Sequence, residues 1–309
     1  MITPGPWELR DYSPLFRANA AEQRGISRHK LFHSGRYPVV VPGVRMDRES
    51  TVAYPTPQWA DQSWIDDAQR LRAVGLKYPK VAAGFATAAR LFGWPLPRAL
   101  QISELHVCSD DVNMRIRLPG IRLHRTKVFV SCEFFGLPVV TPLCVFVTLG
   151  PALSLHDLVR LGDAAVGNWH GPPQLRLDEL RGFVSETRGI RFRRHLLEAL
   201  ELVRPTVDSP RETDLRLWTR SVGLPEPTVH PRVCCPSINR VVEPDLGYEN
   251  EKLALVYDGD HHRTSKDQWN RDIARDEAMR LEGWTVFRVT GRTDYRQLEA
   301  KIRRHLGLS

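Results

Sequence analysis

Two carboxylates and two imidazoles crowd one five-residue stretch, where Asp258 ends the apolar run 253–257 and Gly259, Asp260, His261 and His262 follow. Asp245 stands just after Pro244 in a strand-like segment, and Glu212 lies in the first turn of an expected helix. These residue types suit metal-assisted hydrolysis. A hard divalent cation such as magnesium takes oxygen ligands, and one or two carboxylates plus waters and a substrate phosphate complete its shell. Such an ion holds a phosphate and lowers the pKa of an attacking water, while an imidazole moves a proton near neutral pH. Each residue also has a plainer reading. Asp258-Gly259 alone is a common turn pair, Asp245 alone is an edge-strand residue, and adjacent side chains such as His261 and His262 diverge, so one of them is expected to face solvent.

The elements that must position these groups are legible from residue 209 onward. Ser209-Pro210-Arg211-Glu212 combines an N-cap, a proline at the first helical position and a glutamate three residues after the cap, which predicts a capping box. The helix is expected to stop at Gly223. Strands are expected over 229–235, 240–248 and 252–257, an amphipathic helix over 267–282, a buried strand over 285–289 and a last helix over 294–306. The order is α-β-β-β-α-β-α around a mixed sheet. Trp284 and Phe287 are read as core residues.

The remainder is less regular. Residues 18–25 read as a helix and turn, Ser27 as the N-cap of a second short helix, and 37–44 as an extended wing. That is the outline of a winged helix, with Arg28, His29 and Lys30 at the start of its recognition helix. Helices are expected over 61–74, 82–92 and 154–166, the last capped by Ser154, with strand-like pieces at 104–108, 115–118, 121–125 and 128–130 and an apolar segment at 141–149. Gly171-Pro172-Pro173 is the clearest break. A helical stretch over 178–202 follows, and its basic cluster, Arg191 and Arg194 included, reads as a surface for phosphates.

Composition bounds the function. The 309 residues carry 44 Lys+Arg and 36 Asp+Glu, a net charge of +8. From residue 205 onward there are 17 of each sign, so the first 204 residues hold 44 − 17 = 27 basic and 36 − 17 = 19 acidic side chains, the whole excess. A basic N-terminal part joined to a neutral part rich in carboxylates fits a nucleic-acid binder attached to an active site. The five cysteines are odd in number and lack zinc-ligand spacing, which predicts free thiols in a reducing compartment. No apolar run approaches the roughly 18 residues of a membrane span, and the first residues show no secretory pattern. A cytoplasmic location without membrane association is the expectation. Phosphate-binding Gly-rich loops, nucleophile elbows and zinc motifs are missing, which argues against a small-molecule enzyme.

The segment L-A-L-V-Y-D-G-D-H-H, followed by R-D-x-x-R-D and G-W-T-V-F-R-V-T, resembles the very-short-patch-repair (Vsr-like) branch of the PD-(D/E)XK nuclease superfamily over about residues 209–305. The resemblance implies a metal-dependent DNA endonuclease with a restriction-endonuclease-like mixed sheet flanked by helices. It implies Asp245 as the first metal-binding carboxylate, Asp258 in the place of the motif's lysine, His261 or His262 as general base or acid, and Glu212 as the supporting helix carboxylate. Asp272 and Arg275 would face the site. One departure weakens the implied activity: similar sequences usually carry a glutamate where Val256 stands, although true very-short-patch-repair enzymes lack a carboxylate there too. A fainter similarity, A-A-G-F-A-T-A-A-R-L-F-G-W-P-L-P, then I-R-L-H-R and G-L-P-V-V-T-P, links about residues 15–168 to AbiEi-type antitoxin and transcription-regulator proteins.

The organisation expected is α/β: a winged-helix-like module over 1–60, an AbiEi-like mixed α+β domain with a basic helical linker over 61–204, and a Vsr-like nuclease domain over 205–309. Asp245 and Asp258 would hold Mg2+, with Mn2+ as the other candidate. Arg28, Lys30, Arg191, Arg194 and Arg275 would contact DNA, and a protein partner of the toxin–antitoxin or defence type is a further expectation. The alternative is a non-catalytic, antitoxin-like DNA-binding regulator built on a degenerate nuclease fold.

Overall fold

The computed structural model describes residues 13–101, 104–126, 129–258 and 266–308, without the side chains of 266–270. It is a mixed α/β protein with ten α-helices and four sheets among the described residues. None of those helices is long and apolar enough to cross a membrane, and all five cysteines are free thiols. The chain divides into two compact units, one of residues 1–161 and 178–197, the other of 162–177 and 198–309.

The first unit begins with β1 (Leu15–Arg17), α1 (Arg28–His33), β2 (Val39–Val41) and β3 (Val44–Met46), the strands forming an antiparallel sheet in the order β1-β3-β2. Ser27 caps α1 by accepting the Lys30 N–H, as expected. The helix expected over 18–25 is instead two 3-10 turns that end at Gly25 in the left-handed region (φ 70°). The apolar positions Ala21, Ile26 and Leu31, which join Phe16 and Tyr37 in a small core, are five residues apart and do not share one face of an α-helix. Then come α2 (Gln62–Lys77), capped by Asp61, β4 (Ala82–Ala83) and α3 (Phe85–Leu91). β5 (Leu105–Ser109), β6 (Ile121–Arg125), β7 (Ser131–Phe134) and β8 (Leu137–Val140) complete a five-stranded mixed sheet in the order β6-β5-β4-β8-β7. The expected strand at 115–118 does not form. The one expected at 128–130, of which residue 128 lies outside the described residues, is a few positions later as β7. α4 (Pro142–Leu149), α5 (Leu155–Val166), α6 (Leu177–Glu186) and α7 (Arg193–Leu202) follow, and the division between the units falls within α5 after residue 161 and within α7 after residue 197, so that Asp163 belongs to the second unit. The single helix expected over 178–202 is thus two. Gly189 (φ 78°) and Phe192 (φ 58°) take left-handed backbone between them, which no continuing helix accommodates, and Arg188 and Arg191 fall in that break.

The second unit carries α8 (Pro210–Ser221), β9 (Thr228–Val229), β10 (Val233–Cys235), β11 (Arg240–Val242), β12 (Leu246–Tyr248), β13 (Leu253–Tyr257), α9 (Lys266–Leu281), β14 (Thr285–Val289) and α10 (Tyr295–His305). Its main sheet has the order β14-β13-β12-β9. β13 and β14 are parallel neighbours, while β12 is antiparallel to both β13 and β9. Two expected strands are split. His230 (φ 48°) and Pro231 interrupt 229–235, and Pro244, without an N–H to donate, interrupts 240–248. The freed pieces β10 and β11 pair with each other as a separate hairpin. Alternation along β13 sends Leu253 and Leu255 into one core with Leu215, Leu246, Leu298 and Ile302, and Ala254 into another with Val233, Ala278 and Met279. Trp284 and Phe287 pack against these cores, as read from the sequence. Gly247 is required where it stands, because a Cβ there would meet Pro231 Cγ at 2.8 Å and the Leu253 carbonyl oxygen at 3.0 Å.

α8 is tied down by a buried carboxylate. Asp163 (0% exposed) accepts hydrogen bonds from Thr213 Oγ1 at 2.7 Å, Arg216 Nη2 at 2.8 Å and the Arg204 N–H at 2.8 Å. Arg216 is itself only 2% exposed. Burial pushes the Asp163 carboxyl up from its ordinary range, against the pull of Arg216 and its donors. Breaking such a pair from one side strands the other charge. Asp163→Ala is therefore expected to cost about 3–5 kcal/mol in denaturant unfolding, and Asp163→Leu combined with Arg216→Met to recover most of that loss.

Candidate metal centre

Three strands of the second unit present one end to the same place. Antiparallel pairing sets the end of β9 beside the start of β12 (Val229↔Leu246) and the start of β12 beside the end of β13 (Leu246↔Leu255). His230 follows β9, Asp245 precedes β12 and Asp258 follows β13, so all three lie at that sheet end. The His230 N–H donates to the Asp245 carbonyl at 3.1 Å, and the Tyr257 N–H donates to Asp245 Oδ2 at 2.6 Å. Asp245 is thus held to both neighbouring strands, through its carbonyl on one side and its carboxylate on the other.

Glu212 reaches the same point from α8. Ser209 Oγ accepts the Glu212 N–H at 3.3 Å, the first half of the expected capping box. The Glu212 carboxylate takes the second half one residue earlier, accepting the Asp208 N–H at 3.0 Å. The same oxygen, Oε2, lies 3.1 Å from His230 Nε2. One ligand atom each from Glu212, His230 and Asp245 lie within 4.8 Å of one another. On the far side of the imidazole, His230 Nδ1 is 3.7 Å from Asp208 Oδ2. Glu212 is buried, and His230 and Asp245 are partly so.

Three groups of the cluster have raised pKa values, for different reasons. The hydrogen bond with Glu212 raises the His230 imidazole above its ordinary range despite partial burial. Burial pushes the Asp245 carboxyl up to about 6, against the Tyr257 N–H, which favours the ionised form. Burial likewise raises Asp208.

Asp258 shares with Asp245 a pocket of about 230 Å³ that is also lined by Val256, Asp272, Arg275 and Arg288. The Asp258 carboxylate faces Arg288, with Oδ2 3.3 Å from Nη1, while Arg288 Nε donates to Asp276 at 2.8 Å. Parallel pairing explains the contact, since Arg288 is the register partner of Val256 on the adjacent strand. Val256 itself offers no ligand. Arg275 is exposed and donates to the Glu243 carbonyl at 3.1 Å. His261 and His262 lie outside the described residues.

Of the residues expected from the sequence, the structure brings Glu212 and Asp245 together and puts Asp258, Asp272 and Arg275 on the adjoining pocket. His230 is the addition. Arg28, Lys30, Arg191 and Arg194 are exposed residues of the first unit. The first two sit on the Ser27-capped helix, Arg191 in the break between α6 and α7, and Arg194 on α7.

The raised Asp245 pKa has a stability consequence of definite sign. Between the ordinary carboxyl value and about 6 the folded chain keeps a proton that the unfolded chain has released, so stability falls as pH rises through that window. Above it the full cost of the buried charge is present. Asp245→Asn is expected to raise the unfolding free energy at pH 7.5, by at most about 3 kcal/mol, and the gain should disappear near pH 4. Parallel melts of the two proteins across that range, in the presence of a chelator, check it; a variant less stable at pH 7.5 would contradict it.

Compared with known proteins, the chain matches no family model, no curated protein and no solved structure.

Proposed function

We propose that the chain acts on DNA as a divalent-metal-dependent phosphodiesterase, with a Vsr-like, restriction-endonuclease-like domain in its second unit. The observation that carries this reading is the convergence of Glu212, His230 and Asp245 donor atoms within 4.8 Å, beside a pocket that Asp245 shares with Asp258. A mixed sheet whose parallel strands β13 and β14 are joined through α9 supports the domain reading. When bound, the ion would hold the scissile phosphate and acidify an attacking water.

In this reading Asp245 and Glu212 supply hard oxygen ligands, and Asp258 a third carboxylate at the pocket. Arg288 keeps Asp258 in place, and Arg275 offers an exposed guanidinium for the DNA backbone. His261 or His262 would move the proton. The exposed Arg28 and Lys30 on the helix before the β2–β3 strand pair, and Arg191 and Arg194, would supply sequence-independent phosphate contacts.

A second reading has an observation of its own. Val256 lines the pocket without a ligand atom, and the Asp258 carboxylate is engaged by Arg288. A non-catalytic DNA-binding regulator of antitoxin type would keep such a site as a remnant.

Nicking of supercoiled DNA with magnesium or manganese, run beside a band-shift assay, separates the two. The wild-type chain is expected to nick, and Asp245→Asn to lose more than the about 10–100-fold that removal of an outer-shell partner costs, with DNA binding retained. Undiminished nicking by the variant overturns the site. A wild-type chain that shifts DNA but cuts none with magnesium or manganese, nor with cobalt(II) or zinc in their place, establishes the regulator instead.

A further inference from the structure

The ligand set at the sheet end is not all oxygen. We propose that Glu212, His230 and Asp245 form a site for a borderline first-row transition-metal ion of the cobalt or zinc class, with His230 Nε2 as the selecting ligand, rather than a site tuned to magnesium. This deepens the metal-centre reading above and rests on it, though not on DNA hydrolysis.

The argument begins with donor chemistry. Magnesium binds through oxygen and keeps several waters, whereas imidazole nitrogen suits zinc and its transition-metal neighbours. Two ligand atoms about 2.1 Å from one ion stand about 3.0–3.4 Å apart in octahedral or tetrahedral geometry. The 3.1 Å between His230 Nε2 and Glu212 Oε2 falls in that range, and the Asp245 carboxylate completes a set no wider than 4.8 Å. An ion would replace the proton that Nε2 and Glu212 share.

Outer contacts fit the same role. A metal-binding histidine characteristically turns its other nitrogen to a carboxylate or carbonyl, which fixes the ring and raises its basicity. Asp208 Oδ2 stands 3.7 Å from His230 Nδ1, an ion-pair rather than a hydrogen-bond distance, and its own N–H donates to Glu212 Oε2, so one residue adjoins two of the ligands. The His230 backbone is held at φ 48°, with its N–H on the Asp245 carbonyl. Histidine is among the side chains that adopt left-handed backbone most readily after glycine, and here that backbone places the imidazole beside the carboxylate of the neighbouring strand. Each ligand also has support beyond its partners: Glu212 from the capped and anchored α8, Asp245 from the Tyr257 N–H, His230 from its turn.

Cobalt(II) is a suitable probe, because its visible absorption reports the ligand type and coordination number, and thiolate ligation gives separate, intense bands. The full chain, freed of metal, would be titrated calorimetrically with cobalt(II) and with magnesium, and the cobalt spectrum recorded. Two variants accept the left-handed backbone without strain: His230→Gly, which removes the side chain, and His230→Asn, which substitutes an amide oxygen. The wild-type chain is expected to take one cobalt ion at least about tenfold more tightly than magnesium, without thiolate bands. His230→Gly and His230→Asn should each lose about 10–100-fold of cobalt affinity, while magnesium affinity changes little. Equal affinity for the two ions, unchanged cobalt binding in both variants, or thiolate bands from the exposed Cys132 or Cys234 overturns the proposal. The readout does not involve DNA. A chain that binds cobalt through His230 and cuts nothing refutes only the hydrolytic reading, and a magnesium-driven nuclease without His230-dependent cobalt binding refutes only this one.

Discussion

The arrangement at the sheet end depends on a carboxylate that never reaches it. Asp163 is fully buried and takes three hydrogen bonds, two of them from Thr213 and Arg216 on α8 and the third from the backbone ahead of that helix. Glu212 is the residue next to Thr213, so whatever fixes Thr213 fixes the helix turn that carries the glutamate. A hydrophobic contact could hold α8 against its neighbours, as Leu215 does on the sheet core, but it would leave the helix freer to slide and rotate. Directional bonds to one buried oxygen pair do not. The cost of burying that charge is expressed in the raised Asp163 pKa, and the return is a specified helix register.

Much of this unit is legible in the amino-acid sequence because its signals are local. The Ser209–Glu212 cap, the apolar run that ends at Asp258, the helix before Gly283 and the buried strand after it all depend on residues within one turn or one strand. The breaks are less legible. An apolar alternation continues across His230-Pro231 and across Pro244, and only the missing proline N–H and the positive φ divide each run into two strands that join different sheets. Gly189 and Phe192 divide the basic helix in the same way, and they take Arg191 out of the helix on which its basic cluster was placed.

The site itself was half legible. Asp245 and Glu212 belong to patterned segments, and the resemblance drew them out. His230 has no such mark: P-T-V-H-P-R reads as a strand passing into a turn, and nothing in it announces a ligand. Its position becomes visible only when β9 pairs with β12 (Val229↔Leu246, Thr228↔Gly247), a contact across 246 − 229 = 17 positions or more that no local period encodes. A histidine next to a proline at a strand end, in a chain with carboxylates on two neighbouring elements, is the only trace. Arg288 escaped for a similar reason, since its partnership with Asp258 follows from the parallel register of β13 and β14.

These two residues treat neighbouring carboxylates in contrasting ways. Arg288 gives Asp258 and Asp276 a shared, permanently charged partner. Asp245 receives a backbone N–H and the company of Glu212, and burial still drives its carboxyl up to about 6. The fold thus pairs carboxylates with a guanidinium on one side of a small pocket and holds Asp245 by a backbone N–H on the other. A carboxylate held in this way cannot relax by turning to solvent, and His230 and Arg275 pull its pKa down against burial. Stability lost to an ionised Asp245 traces to burial, and the 2.6 Å hydrogen bond from the Tyr257 N–H, which favours the ionised form, offsets part of that loss.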